Sequence, residues 1–553
     1  MSVAILAQDI TVMVKHGLPT SDDEPPKRIR VLELGGGKYV SFSVREAILK
    51  DLKELGCIPP DLAISRRRMQ AARKETAQRD TPYGRLLTTR TFTTTEGAVD
   101  FPVQNPLAML YVAMADGPRF ARYVRTAIQD QGAPTPQAPW SIIFYIDEVT
   151  CGNPLAVRGD AKRKVQGVYW TIYHLGDAAM CDESCWFEII AFRSSEVVEF
   201  VGGCSHLLDV CMSCFFDPNG HDVRYSLPFD LMGYGSFRLS LEVEMLIADI
   251  KALTECIGAN GVSAIMPCFF CRQILSFKAK AKPEMAGLNK FVDLGCLDTT
   301  KWGKHTNASL LTLLEGLKVA HATLSNPELK KKQTLCGFKH VPGNFLLNPY
   351  TRLQPVDLIF PDYMHLVFQT GDWNREVFRI LKGECMRGQP SSYQLLVEYI
   401  QEFTFPHGSN LGNLLCDAHW NACKEAEVFK CQASDGLTLY AVMCKFFQSV
   451  LLPRALGTAR HAALVLKVRS YVCLCNVVDL LQLSKFGHDV DPDLLDEKLT
   501  DWMKTHQAAY GISLWYLKSH LTGHLADVLR RRPRRLRRML ACWLLDRCVY
   551  INM

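Results

Sequence analysis

Residues 140–149 read WSIIFYIDEV, an almost unbroken apolar run that turns acidic at Asp147 and Glu148. Aromatic and β-branched residues at this density favour a strand. Two runs of similar composition follow, VQGVYWTIYH (165–174) and CWFEIIAF (185–192). After a helical stretch near residues 205–215 comes a fourth apolar run, FRLSLEVEMLIADI (237–250), which carries Asp249 near its end.

Three consecutive strands, a helix, and a strand with its own acid fit the first half of a ribonuclease-H-like α/β fold. Periodicity alone gives α/β; the placement of the acids narrows it. N-terminal to this block, GAPTPQAP (132–139) has linker composition, and NPLAMLYVAMADGPRFARYVRTAIQD (105–130) suggests one or two helices. Residues 65–90 are basic with few apolar anchors, the pattern of a solvated helix and linker or of an arm lying on phosphates. Residues 21–30 read as a loop, and 44–55 have helical spacing. Beyond residue 300 the chain reads as mainly helical, for example over 309–324, 375–384, 392–403 and 437–452. The expected organisation is therefore an α-rich N-terminal region (1–138), the first part of the core with a Cys-x2-Cys knuckle (139–300), a large mainly helical insertion (301–505), and a C-terminal helix with a basic tail that ends the core (506–553).

The composition is that of a soluble globular protein: 553 residues, 48% hydrophobic, 22% charged, net charge +6. That charge is compatible with nucleic-acid binding without arguing for it. No stretch of about 18 uninterrupted apolar residues occurs, so no membrane partner is expected. The N-terminus lacks the basic region and cleavage site of a signal peptide, and the 21 cysteines are scattered. Both features point to reduced thiols, some of them on zinc.

Asp147 and Asp249 each follow an apolar strand. Phosphodiester chemistry needs carboxylates that converge on divalent metals, and hard oxygen ligands suit Mg²⁺ or Mn²⁺. An isolated Asp after a strand is more often a turn or cap residue. Cys268 and Cys271 have the spacing of half a zinc site, whose remaining ligands are open among Cys296, His305 and His365. A second pair, Cys211 and Cys214, lies on an apolar stretch and reads as buried core thiols. His520 and His524, four residues apart, share one helix face, where they ligate metal, border a DNA path or pack in the core. The run RRRPRRLRR (530–538) offers Arg530, Arg531, Arg532, Arg534, Arg535, Arg537 and Arg538 to DNA phosphates and would serve as a nuclear localisation signal.

Five phrases in order carry a family resemblance: IIFYIDEVTCGNPLA (142–156), IADIKALTECIGANGVSAIMPCFFCRQ (247–273), FPDYMHLVFQTGDWNREV (360–377), FKCQASDGLTLYAV (429–442) and YLKSHLTGHLADVL (516–529). Over roughly 140–546 the chain resembles the CACTA/Plavaka-type cut-and-paste DNA transposases. The resemblance implies that Asp147 and Asp249 are catalytic metal ligands, that Asp362 and His365, which match the D-x-x-H motif following the second Asp, are metal ligands too, and that the partner is DNA, both transposon ends and target, for a chain that can be a homo-oligomer. The third catalytic acid would fall at Asp546, where the family has the Glu of a C-x3-E-R-K phrase; the basic continuation is missing, which reads as a truncated or altered end. Glu376 is a weaker alternative. The resemblance leaves two other readings beside an active enzyme: a catalytically dead DNA-binding derivative and a zinc-stabilised interaction protein.

Overall fold

The computed structural model describes residue 50 and residues 78–150, 164–217, 220–281, 290–383, 391–405, 414–458, 460–484 and 488–532. Its first regular elements are extended. Residues Leu87–Thr94 (β1) pair antiparallel with Gly97–Gln104 (β2), in register from Leu87–Gln104 to Thr94–Gly97. Threonine-rich LTTRTFTT suits the pleat and sends Phe92 inward, fully buried. Within the described residues the N-terminal region is thus mixed: Lys50, inside the stretch expected to be helical, is helical, and from residue 78 onward the first helix starts at Pro106. The first two helices there are α1 (Pro106–Asp116) and α2 (Pro118–Gln131), each with Pro in its first turn. Asn105 caps α1 by accepting the N–H groups of Leu107 and Ala108.

Three strands follow as the sequence suggests: β3 (Trp140–Thr150), β4 (Lys164–Ile172) and β5 (Phe187–Arg193). Each is antiparallel to the next, and Asp147 on β3 stands opposite Gly167 on β4. Helix α3 (Cys204–Ser213) follows, with Cys211 and Cys214 buried as core thiols. The fourth run is not one strand. A hairpin of β6 (Leu227–Leu231) and β7 (Gly235–Leu239) ends at Ser240, and β8 (Leu241–Ala248) starts afresh. Ser240 is the hinge: it is buried, its hydroxyl shares a hydrogen bond with that of Ser226, and its carbonyl accepts the Trp140 N–H at 2.9 Å.

Helical structure dominates afterwards: α4 (Ile250–Ile257), α5 (Asn307–Thr323) and α6 (Asn326–Cys336) lead to a three-residue strand, β9 (Ile359–Pro361). Then come α7 (Tyr363–Val367), α8 (Asp372–Leu381), α9 (Ser392–Ile400), α10 (Asp417–Ala426), α11 (Ala433–Phe446), α12 (His461–Leu483), α13 (Pro492–Tyr510), α14 (Leu517–Thr522) and α15 (Leu525–Arg530). The helices expected from periodicity are α5, α8, α9 and α11; β9 is too short to leave a pattern.

The chain is a mixed α/β protein whose main sheet has the strand order β9-β8-β3-β4-β5, with β8 and β9 parallel. It divides into two compact units, the first comprising residues 1–201, 206–243 and 544–553, the second 202–205 and 244–543. Among the described residues, Ala433–Ala455 is the one helical stretch long and apolar enough to cross a membrane, and core helices of soluble proteins meet that same criterion. Its face toward α12 is tied by hydrogen bonds from Tyr471 Oη to the Tyr440 carbonyl and from Tyr440 Oη to Asp479.

Candidate metal centre and acidic cluster

The second unit gathers Cys268, Cys271, His520 and His524, all buried, with one ligand atom from each lying within 4.8 Å of the others. The cysteines sit in a turn after Pro267. Backbone pairing to the 303–305 segment fixes that turn: Arg272 N–H to the Gly303 carbonyl and His305 N–H to the Phe270 carbonyl. The Phe270 N–H points at Cys268 Sγ at 3.4 Å, an arrangement that favours the thiolate. The histidines do not lie on one continuous helix. His520 is on α14, His524 stands at the start of α15, and Gly523 lies between them, where a Cβ would meet the Trp302 ring at 2.8 Å.

The geometry fits a tetrahedral ion. Cys271 Sγ is 3.5 Å from His520 Nε2 and 3.1 Å from His524 Nε2; Cys268 Sγ is 3.6 Å from His524 Nε2; the two Nε2 atoms are 3.2 Å apart. Zinc at its usual bond lengths would set sulfur and nitrogen ligands about 3.5 Å apart and two nitrogens about 3.3 Å apart. His524 is aimed from behind: its Nδ1 is 3.2 Å from Asp527 Oδ2, and Asp527 pairs with Lys304 at 2.7 Å. Such an outer carboxylate fixes the imidazole tautomer and orientation. Trp302 and Phe270 pack on the imidazoles and keep water out.

Protonation tendencies agree with a ligand set. Burial opposes a charged Cys268, but the Cys271 thiol and the two imidazoles outweigh it and hold Cys268 well below the usual thiol value. Burial and the adjacent Cys268 push the Cys271 thiol up, the tendency that a bound cation would offset. Against the cost of burial, His524 and Lys304 keep Asp527 well below the usual carboxylate range. The other ligands considered from sequence do not complete the centre. Cys296 faces the Asp298 carbonyl, His305 Nδ1 meets Ser309 Oγ, and His365 pairs with Asp362. His520 and His524 complete it instead; their i, i+4 spacing was visible, but nothing local tied them to cysteines some 250 residues away.

The second unit also contains an acidic cluster. Strands β8 and β9 run parallel with Ala248 beside Pro361, so Asp249 and Asp362 follow adjacent strand ends, and the Asp362 N–H reaches the Ala248 carbonyl at 3.3 Å. Asp249 caps α4, its Oδ1 accepting the Ala252 N–H at 2.6 Å. Asp362 is buried and caps α7, accepting the Met364 and His365 N–H groups, and it also holds the His365 ring by a short contact to Nδ1. Asp362 therefore both caps α7 and pairs with His365. Lys518, not singled out from sequence, donates to the carbonyls of His365 and Gln369 at the end of α7.

In the first unit, Asp147 is half-buried near the end of β3; it accepts from its neighbour's N–H (Glu148) and from Tyr145 Oη at 2.9 Å. Glu376 is a core group: its Oε1 accepts from Ser470 Oγ, Trp502 Nε1 and His506 Nδ1. Asp546, Arg534, Arg535, Arg537 and Arg538 lie outside the described residues. The first arginines of the run are engaged within the chain: Arg530 with Asp493, Asp496 and Asp527, Arg531 with the Val356 carbonyl and the Phe270 ring, and Arg532, buried, with the carbonyls of Glu244 and Asp357.

No protein-family model and no curated protein matches the chain.

Proposed function

We propose that this chain is a transposase-like protein that cleaves DNA strands and transfers them in a metal-dependent reaction, on a ribonuclease-H-like core. One observation carries the reading: the strand order β9-β8-β3-β4-β5, in which three consecutive antiparallel strands are flanked by a fourth beside the first and a fifth parallel to the fourth, with Asp147 near the end of the first and Asp249 directly after the fourth. Acids in those two positions, on rigid strands, are what the family resemblance requires. The metal centre adds support, because it unites the Cys-x2-Cys of the second family phrase with the His-x3-His of the last.

Asp249 and Asp362 offer hard carboxylate oxygens from neighbouring strand ends, a donor set suited to Mg²⁺ or Mn²⁺. Bound there, the ions would activate the attacking oxygen and stabilise the leaving one. The chain's own part is positional. The first turn of α4 orients Asp249, the first turn of α7 orients Asp362, and His365 is held against Asp362 at its other oxygen. Asp147 and Asp546 complete the proposed acids. Zinc at Cys268, Cys271, His520 and His524 holds the fold and takes no part in the reaction, since four protein ligands close the tetrahedron.

The test is Mg²⁺- or Mn²⁺-dependent nicking of DNA carrying the element's own ends, by the parent chain, Asp147→Asn and Asp249→Asn. Activity in the parent with a loss of at least about 10²-fold in each variant, a size usual for removing one electrostatic catalytic group, is the expected result. Salt-sensitive DNA binding without any cleavage would instead identify a DNA-binding derivative, and absence of both would leave a zinc-stabilised interaction protein.

A further inference from the structure

We propose that the metal centre fixes the acidic cluster in place through α14, with Lys518 as the positioning residue. The inference rests on reading Asp249 and Asp362 as functional acids.

Helix α14 is six residues long, too short to hold its place by backbone bonding alone. Its polar side chains tie it to three separate groups. Lys518 Nζ donates to the His365 carbonyl at 3.0 Å and to the Gln369 carbonyl. Ser519 and Thr522 both donate to the buried carboxylate of Asp372, the first residue of α8. His520 faces the metal centre. The helix therefore joins the centre to the α7–α8 corner, which is tightly packed: a Cβ on Gly371 would stand 2.0 Å from the Leu366 carbonyl oxygen.

That corner decides where one acid points. Helix α7 has five residues, with Asp362 capping its start and Lys518 holding the carbonyls at its end. A cation at the carbonyl end of a helix is favourable, and here Lys518 is tied to two carbonyls in and just after α7. The other acid is linked to the same centre by a different route. Asp249 caps α4, and the chain leaving α4 supplies Cys268 and Cys271. An ion bound by both pairs of ligands thus fastens the α4 side, which carries Asp249, to the α14 side, which holds α7 and Asp362.

Hydrogen exchange over residues 363–371, followed by mass spectrometry on the zinc-loaded full chain, tests this. Lys518→Met, Lys518→Arg and chelator-stripped parent are measured alongside, with zinc content determined for each. The expected result is that Lys518→Met keeps its zinc yet exchanges at least ten-fold faster across 363–371, that Lys518→Arg restores protection, and that stripping zinc reproduces the increase in the same segment. Unchanged exchange in zinc-loaded Lys518→Met, failure of Lys518→Arg to restore it, or loosening confined to 517–530 on chelation would each overturn the proposal. None of these readouts uses DNA or a catalytic metal. A chain that never nicks DNA would refute the transposase reading while the exchange result still decides this one.

Discussion

Glu376 is fully buried, and one oxygen of its carboxylate joins three separate helices of the second unit. Oε1 accepts from Ser470, Trp502 and His506, whereas Oε2 and His506 Nε2 are buried without a hydrogen-bond partner among the described residues. Removing one member of a buried charged pair strands the other, at a cost of about 3–5 kcal/mol. Glu376→Ala is therefore expected to lower the unfolding free energy by about that amount in urea titrations. The effect has a pH signature. Burial alone would lower the His506 pKa, but the hydrogen bond and charge of Glu376 outweigh it, and the value lies above the ordinary 6.5. A raised folded-state pKa means the pair's contribution is complete below 6.5 and fades as pH rises through the folded value. The gap between parent and Glu376→Ala should be widest near pH 6 and narrow toward pH 9. A gap that stays constant, or widens with pH, would show that His506 is neutral and that Glu376 serves only as a hydrogen-bond acceptor.

At the scale of elements, the α14–α15 junction carries the two histidines of the candidate metal centre. Asp527, in the first turn of α15, orients His524 and is itself held by Lys304 and Arg530. Asp527→Asn keeps the shape but weakens the hold on the His524 tautomer, and outer-sphere changes of this kind typically cost about 10–100-fold in metal affinity. Competition against a chromophoric zinc chelator measures it, with circular dichroism as the check on folding; undiminished affinity would reduce Asp527 to an ion-pair residue. The same junction shows what the sequence could and could not reveal. Strands β3, β4 and β5 and helices α5, α8, α9 and α11 were legible because each carries its own periodicity or β-branched density. Cys268 and Cys271 were legible by spacing. Their union with His520 and His524 was not, because it depends on a long-range approach that no local pattern encodes. The β7–β8 break was hidden for the opposite reason: Ser240 falls in phase with the apolar–polar alternation of residues 237–244, and only its buried hydrogen bonds to Ser226 and Trp140 mark the break. Lys518 lay within a quoted phrase, yet a lysine reads as solvated until its carbonyl partners are known.

For the whole molecule, the open question is how a chain of net charge +6 would engage DNA. The run at 530–538 reads as a single basic patch, but its first three arginines already have partners within the fold. Arg530 pairs with three aspartates, Arg531 lies over Phe270, and Arg532 is buried between the backbones of β8 and the residues before β9. Counterion release counts only cations that reach phosphates, each contributing about 0.9 to the slope of log affinity against log salt. The run should therefore divide functionally. Under the proposed DNA-binding role, replacing Arg534, Arg535, Arg537 and Arg538 together by Gln is expected to flatten the salt dependence of DNA binding by about 3 to 4 units of slope. Arg532→Gln should leave that slope unchanged and instead lower stability by about 2 kcal/mol, because two backbone carbonyls lose a buried donor. Fluorescence anisotropy of labelled duplex over a salt series, with urea unfolding of the same samples, separates the two effects. Equal flattening by both variants would mean that Arg532 leaves its buried site to bind DNA. No flattening by the fourfold variant would move the phosphate contacts away from this run altogether.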